Sequence, residues 1–583
     1  MSYRRAPVAA LAAIAVLAGG CTGTDDEKPP GIEVDRVTTA SGTRPAADAG
    51  LPARTPQQVW RADLPGLPSP NLARTEFVAG HVAVVSNRGL DVLDAQTGKA
   101  RWHYYEKARL VLDYAVTSDT VVVTTVATDR DGNARQVQDR RLRTTGLDAA
   151  GGRTLWNRGG LRPVTEGQKT GYRPMASPEA GVAVFEGPDK KKPSLVGVDA
   201  RTGKQRWTWA AGSAERCSFN PQDTDGSLLS VEAACAGRKT MYALDPATGA
   251  VKWSKPSRLG TWQARTRGGV TLITAYGVDD VNMSWLVTAD GKTIWKLKHE
   301  DLAAKEIAVA GDRAVLTVAD HGRSRGMRLE FVNVRTGKVS ERTDAREHGG
   351  LVTAGGRVYG IREWLGEYED HRYGLSPELT PGALDVIDPG KGEVTTVPLP
   401  FALRGEQLDA TPRPAVIEGD RLYRVQSPGN GLRITAYGPG GRGGPAETGG
   451  VAVADWPDAC DLTAKADRVR ERKPSPHEPL RLGAVKISNW GCQVRGGAGP
   501  FEFRIGWVAP DAGAASELLA GRTVGTEAER SRRFGDEAYV VRNTGGTTLT
   551  MRTGRYIVVF SRADLTPGGF NRSVIEAVDK ALR

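Results

Sequence analysis

Short apolar runs alternating with polar turns fill most of the chain, and that pattern predicts strands over nearly its whole length. V-A-V-V-S at 82–86, L-D-V-L-D at 90–94, V-V-V-T-T-V at 121–126, G-G-R-V-Y-G at 355–360 and A-L-D-V-I-D at 383–388 are typical runs. Between them one phrase returns. Residues 93–102 read L-D-A-Q-T-G-K-A-R-W, 198–207 read V-D-A-R-T-G-K-Q-R-W and 244–253 read L-D-P-A-T-G-A-V-K-W. A weaker copy ends at Trp156 and a shortened one, T-A-D-G-K-T-I-W, at Trp295. The stretches 332–338 and 387–393 keep the turn and lose the Trp. With Trp at 102, 156, 207, 253 and 295 the period is 42 to 54 residues, which marks a repeat architecture.

The phrase has a physical reading. The apolar residue ends a strand, and the Asp side chain caps the turn by bonding nearby backbone. The Gly supplies the positive φ that a tight hairpin needs. The run out to Trp is the next strand, with a large flat side chain to pack on a neighbouring sheet. Each unit is a sheet that cannot bury its faces alone and must stack on its neighbours. Eight units are expected: 77–104, 113–157, 175–209, 217–254, 262–297, 306–343, 350–398 and 413–437. The last stops before any Trp-bearing strand, while Q-Q-V-W-R-A-D at 57–63 reads as the Trp end of a unit without its beginning. Joining the two would close a ring and leave no open edge.

These Asp-x-x-Thr-Gly-x-x-x-Trp units resemble the PQQ-like repeats of quinoprotein-type β-propellers, a superfamily of quinone-dependent dehydrogenases and of non-enzymatic relatives such as the outer-membrane-assembly lipoprotein. The resemblance covers about 57–437 and implies an all-β, eight-bladed β-propeller over 56–437. A Gly-rich linker is expected at 438–455 and a small α+β domain at 456–583, with an amphipathic helix at 571–582. That domain opens W-P-D-A-C-D-L, carries N-W-G-C at 489–492 and contains Gly-Asp-Glu-Ala at 535–538. In these features it resembles small actinobacterial lipoprotein domains, which imply no chemistry.

The N-terminus reads as an address. Arg4 and Arg5 precede an apolar core, Pro7–Leu17, too short to span a bilayer. Leu17-Ala18-Gly19-Gly20-Cys21 resembles the bacterial lipoprotein signal, although Ala18 stands where Leu is usual. The resemblance implies a signal peptide over 1–20, lipid (palmitate) on Cys21 and a membrane-anchored protein on the extracytoplasmic face of the cell envelope. The polar, Pro- and Ala-rich stretch 21–55 then serves as a flexible tether. Four further cysteines, Cys217, Cys235, Cys460 and Cys492, fit two disulfides in an exported chain. Pairing within each region is the simplest of three connectivities.

Of the 583 residues 79 are Lys or Arg and 68 Asp or Glu, a net charge of +11. Clusters such as 190–192 and 140–141 read as solvated turns, since no aromatic-interleaved basic motif points to nucleic acid. A basic exported protein is nonetheless drawn to anionic lipid or wall polymer.

Signs of catalysis are lacking. Quinoprotein dehydrogenases carry an adjacent Cys-Cys pair and calcium ligands; no two Cys are adjacent here, so no PQQ or metal residues carry over. The seven His have no metal-ligand spacing, and there is no nucleophile elbow or phosphate loop. D-R-D-G-N at 129–133 lacks the later ligands of a calcium loop and reads as a hairpin turn. Two features stand out. The seventh unit's insertion places Trp364, Glu367, Tyr368, Glu369, Asp370, His371, Arg372 and Tyr373 in one long loop, a composition suited to a partner contact. The second is Gly535-Asp536-Glu537, whose simpler reading is a turn. The expectation is a monomeric, non-enzymatic lipoprotein without a cofactor, binding a protein or cell-wall component. A quinone-dependent dehydrogenase and a sensor of an extracellular small molecule are the alternatives.

Overall fold

The structure is a computed structural model that describes residues 50–583 apart from 66–73, 129–141, 165–175, 321–327, 364–378, 405–414, 440–446, 524–528 and 563–571 and shorter stretches between them. Cys21, the D-R-D-G-N turn and the insertion bearing Trp364 to Tyr373 lie outside the described residues.

Eight antiparallel sheets follow one another along the chain, each ordered as a simple up-and-down meander. The first is Arg74–Val78, His81–Val85, Gly89–Asp94 and Ala100–Tyr105. The next six span 109–159, 162–209, 217–257, 261–299, 302–344 and 351–404. In the third, the inner strand is in two pieces, Arg162–Pro163 and Ala176–Ser177, both paired with Val182–Glu186. The eighth takes Ala415–Glu418, Arg421–Gln426 and Gly431–Gly438 from the far end of the ring and completes itself with Gln57–Pro65, paired Gln57 to Gly438 and Pro65 to Gly431. The strand isolated at the start of the repeats is therefore the missing outer strand of the last one. The result is an eight-bladed β-propeller.

Burial explains the sequence pattern. The central strands have a neighbouring blade on each face, so they read as continuous apolar runs: His81–Val85 is buried at every position and Thr120–Ala127 at all but its last. Outer strands have solvent along one side, and Thr154–Gly159 is half-buried or exposed throughout. Core clusters cross from blade to blade. One joins Val85, Val92, Trp102 and Tyr104 of the first blade to Tyr114, Val121 and Leu147 of the second. Another joins Trp60, Tyr423 and Ile434 of the eighth to Val82, Val84 and Leu93 of the first.

The C-terminal part is a seven-stranded antiparallel sheet in the order Val469–Pro474, Gly491–Gly496, Gly499–Val508, Tyr556–Arg562, Gly546–Thr553, Glu537–Asn543 and Glu529–Ser531. The helix Arg572–Leu582 buries Val574, Ile575, Val578 and Leu582, the stripe its sequence displays. Two helices escaped the sequence reading: the single turn Ala459–Leu462, capped by Asp458, and Ala512–Thr523. The latter, A-G-A-A-S-E-L-L-A-G-R-T, is rich in small residues and shows no apolar stripe. The Gly-rich linker also ends earlier than its composition implies. Glu447–Thr448 pairs with Val451–Ala452, and Val451 is buried in the same core as Trp456 and Trp507.

Candidate functional site

The repeated phrase builds the joint between blades. Asp94 accepts hydrogen bonds from the backbone N–H groups of Gln96 and Thr97 and from the Thr97 hydroxyl, closing the turn on its own carboxylate. Asp199 accepts from the Thr202 N–H and hydroxyl, and Asp245 from the N–H groups of Ala247 and Thr248. The strand after each turn bulges at its basic residue, one place before the Trp. The bulged side chain returns to the Asp: Arg101 to Asp94 at 2.5 Å, Arg206 to Asp199 at 2.5 Å and Lys252 to Asp245 at 3.0 Å. Burial alone would raise these three carboxyls. The hydrogen bonds and charges of the basic partners and of the turn's own Thr and backbone groups outweigh it and hold all three below the usual carboxylate value.

The Trp then reaches the next blade's turn. Its indole N–H donates to the carbonyl just after the turn Asp: Trp60 to Ala95, Trp102 to Ala149, Trp156 to Ala200 and Trp207 to Pro246, at 2.7–3.0 Å. The ring lies on the turn glycine. A Cβ at Gly98, Gly152, Gly203 or Gly249 would come within 2.4–2.8 Å of the ring, and all four have positive φ. Two joints differ. The turn under Trp253 is shortened, and its buried indole nitrogen has no hydrogen-bond partner among the described residues. Trp295 donates instead to the Glu330 carboxylate at 3.1 Å.

Other polar groups that sequence reading could hold in reserve for chemistry are also engaged internally. On the innermost strands Arg265 pairs with Glu306 at 3.0 Å, and Arg267 with Asp223 at 2.7 Å. The Tyr114 hydroxyl donates to Glu76. His348 lies 2.8 Å from Asp385, whose other oxygen accepts from Thr396. The sequence gives no hint of that chain of groups, because 37 residues separate His348 from Asp385 and neither belongs to the repeated phrase. The His348 side chain is fully buried, so the three hold blade seven together and offer no surface to a substrate.

Gly535-Asp536-Glu537 is a clamp. Gly535 has positive φ, and Asp536 accepts from the Gly554 N–H and pairs with Arg552 and Arg583. Glu537 pairs with Arg552 at 3.0 Å and accepts from Ser516 on the helix Ala512–Thr523. Both carboxylates thereby fasten helices to the sheet.

The cysteines form two disulfides, Cys217–Cys235 across adjacent strands of blade four and Cys460–Cys492 between the capped turn and the strand Gly491–Gly496. Neither resembles the adjacent-Cys pair of a quinone site. No group of three or more His, Cys, Asp or Glu among the described residues could hold a metal ion. Among the described residues, Trp60, Trp102, Trp156 and Trp207 are covered by turns, and the inner-strand carboxylates Asp223 and Glu306 are paired with arginines.

None of the curated proteins matches the chain. Among solved structures, that of BamB from Moraxella catarrhalis is 15% identical with a TM-score of 0.37, covering 66% of this chain and 100% of that one. That of the quinohemoprotein alcohol dehydrogenase from Comamonas testosteroni is 14% identical with a TM-score of 0.38, covering 70% and 80%. The family model described as outer membrane protein assembly factor BamB, a PQQ-repeat model, matches residues 48–220 and 192–362, more than half of the chain. The matched stretch holds the copies of the turn-and-Trp phrase that end at Trp102, Trp156, Trp207, Trp253 and Trp295, and the chain belongs to this family of PQQ-repeat propellers.

Proposed function

We propose that the protein is a lipid-anchored extracytoplasmic scaffold, non-enzymatic, whose propeller holds a protein or cell-wall partner. The observation that carries this reading is that the repeat's residues build the joints of the fold. Trp60, Trp102, Trp156 and Trp207, with Asp94 and Asp199, are occupied by the joints between blades. Membership of a family described as an assembly factor supports a protein partner. The signal-like Leu17–Cys21 stretch supports anchorage through lipid on Cys21. For the partner contact, the strands Arg357–Glu363 and Leu379–Asp388 hold the ends of the insertion that carries Trp364, Glu367, Tyr368, Asp370, His371, Arg372 and Tyr373.

The test is a pull-down from solubilised membranes with the wild-type chain and with one whose 364–377 stretch is replaced by Gly and Ser. A partner captured only by the wild type supports the reading; identical captures remove the insertion as the contact. Incubation with the quinone and calcium is the companion measurement. Stoichiometric uptake with dye-linked alcohol oxidation would replace the scaffold by a dehydrogenase.

A further inference from the structure

Each blade has two ends. Its first-to-second and third-to-fourth strand turns lie at one end; its second-to-third connection and the link to the next blade lie at the other. The Asp-x-x-Thr-Gly turns all belong to the first, and so does the approach of the N-terminal segment. Gln57 pairs with Gly438, at the turn end of the eighth blade. Before it, the buried Leu51 offers its carbonyl to the Tyr359 hydroxyl at 2.8 Å, beside the first turn of blade seven. A Cβ on Gly50 would stand 2.9 Å from the Ala354 carbonyl next to that turn. The chain therefore comes onto the propeller from the turn end.

That end carries cations in a regular place. Lys99, Arg153, Lys204, Lys292 and Lys338 each directly follow the turn glycine of blades one, two, three, five and six. All five are exposed, and none has an ion pair among the described contacts. Arg335 adds a sixth exposed cation on the same turns. The carboxylates nearby are largely answered. Asp94, Asp199 and Asp245 pair with Arg101, Arg206 and Lys252, and Asp119 with Arg201. Asp388 stands 3.9 Å from Lys391. Asp312 and Asp420 stand 3.9 and 3.6 Å from Arg313 and Arg421, Glu393 stands 3.9 Å from Lys391, and Asp148, Asp225 and Asp290 remain, accepting hydrogen bonds in the turns.

We propose that the turn end is a docking surface for an anionic phospholipid bilayer, with these lysines and arginines on the headgroups and the opposite end of the ring turned outward. Placing the cations and the arriving chain on one face makes the two attachments cooperate. Only the 28 residues 22–49 separate Cys21 from Gly50 in the sequence, which limits how far this face can stand from a membrane that holds Cys21. The orientation rests on the anchored reading above; the charge contact does not, and the measurement separates them.

The full chain carrying Cys21→Ser, which removes the lipid but leaves the N-terminus common to every sample, is mixed with vesicles of phosphatidylcholine with and without phosphatidylglycerol. It is compared with a turn-end set (K99Q, R153Q, K204Q, K292Q, K338Q) and an opposite-end set (K192Q, R238Q, K298Q). The turn-end set should lose at least about tenfold in its phosphatidylglycerol-dependent partition coefficient, given roughly fivefold for each cation that reaches the headgroups. The opposite-end set should keep it, and added salt should abolish it in both. Equal binding by the two sets, or no preference for the anionic vesicles, overturns the proposal. So does a turn-end set that loses binding to a soluble phosphodiester polymer while keeping its vesicle binding. Metabolic lipid labelling of the wild type at Cys21 reads the anchor separately, so either idea can fail alone.

Discussion

Asp94, Asp199 and Asp245 hold the same place in three copies of one turn, yet their basic partners differ in exposure. Arg101 and Asp94 are both buried, whereas the Arg206–Asp199 and Lys252–Asp245 pairs are alike in being partly exposed. Asp94→Ala should cost about 2–4 kcal/mol because it strands a buried guanidinium, whereas Asp245→Ala should lose less than about 1 kcal/mol from its exposed pair. Denaturant unfolding of the single variants gives the order directly, and equal losses would show that turn capping outweighs the ion pair. The acid limb of stability follows from the same carboxyls. Their folded pKa values are depressed, so their contribution is whole above the unfolded carboxylate value and falls away as pH drops through the lower folded value. Melting temperature should hold down to about pH 4 and fall below it, and the fall should be shallower in D94N/D199N/D245N. This much of the joint was legible in the sequence, where Asp, Thr, Gly and Trp recur in register. The destination of each indole N–H was not, because it is a carbonyl roughly one blade further on. Trp253, whose partner is lost to a shortened turn, shows that the spacing fixes the packing more firmly than the hydrogen bond.

At the scale of elements, the glycine under each Trp makes a sharper claim than a general need for flexible turns. Gly203 has φ of +69°, and a Cβ there would stand 2.6 Å from Trp156 Cδ2. Gly311 has φ of +59° with nothing within 4 Å. Gly311→Ala should therefore cost about 1 kcal/mol for backbone strain alone, and Gly203→Ala about 2–4 kcal/mol for strain plus a displaced indole. Thermal melts of the two variants decide it, and matched losses would place the whole cost in the backbone. Elements also mark the limit of sequence reading. Strands in the blades were visible because burial on both faces leaves long apolar runs. The helix Ala512–Thr523 was invisible because its sequence, rich in small residues, shows no apolar stripe, although Ala515 and Leu519 are buried. Asp536 and Glu537 likewise looked available for chemistry until the positions of Arg552, Arg583 and Ser516 were known. All three partners are distant in sequence, and a pattern of single residues cannot show a clamp whose other jaw folds back from elsewhere.

On the scale of the whole molecule, the ring closes by a strand that precedes its partners by more than three hundred residues. Trp60 donates to Ala95 just as Trp102 does to Ala149, so the joint between blades eight and one is built like the others. What distinguishes it is the covalent path. Elsewhere the Trp strand follows its blade through a tight turn, whereas seven blades of chain lie between Gln57–Pro65 and its partner Gly431–Gly438. Trp60→Ala and Trp102→Ala should each cost about 3–5 kcal/mol in a fully folded ring, since each removes one buried indole. Deleting 57–65 should do something different in kind. It exposes the whole edge of Gly431–Gly438, whose paired residues then offer unsatisfied backbone groups to any other strand, including those of a second copy. The expected outcome is a concentration-dependent oligomer in light scattering, which Trp60→Ala does not form. Moving the same residues to follow Gly438 through an Asn-Gly turn should restore the scattering of the unaltered protein, because the register Gln57 to Gly438 already sets the two ends side by side. A transplanted strand that fails to restore it would mean that the N-terminal segment across blade seven, fixed at Leu51, holds the ring closed and the eighth blade's edge does not.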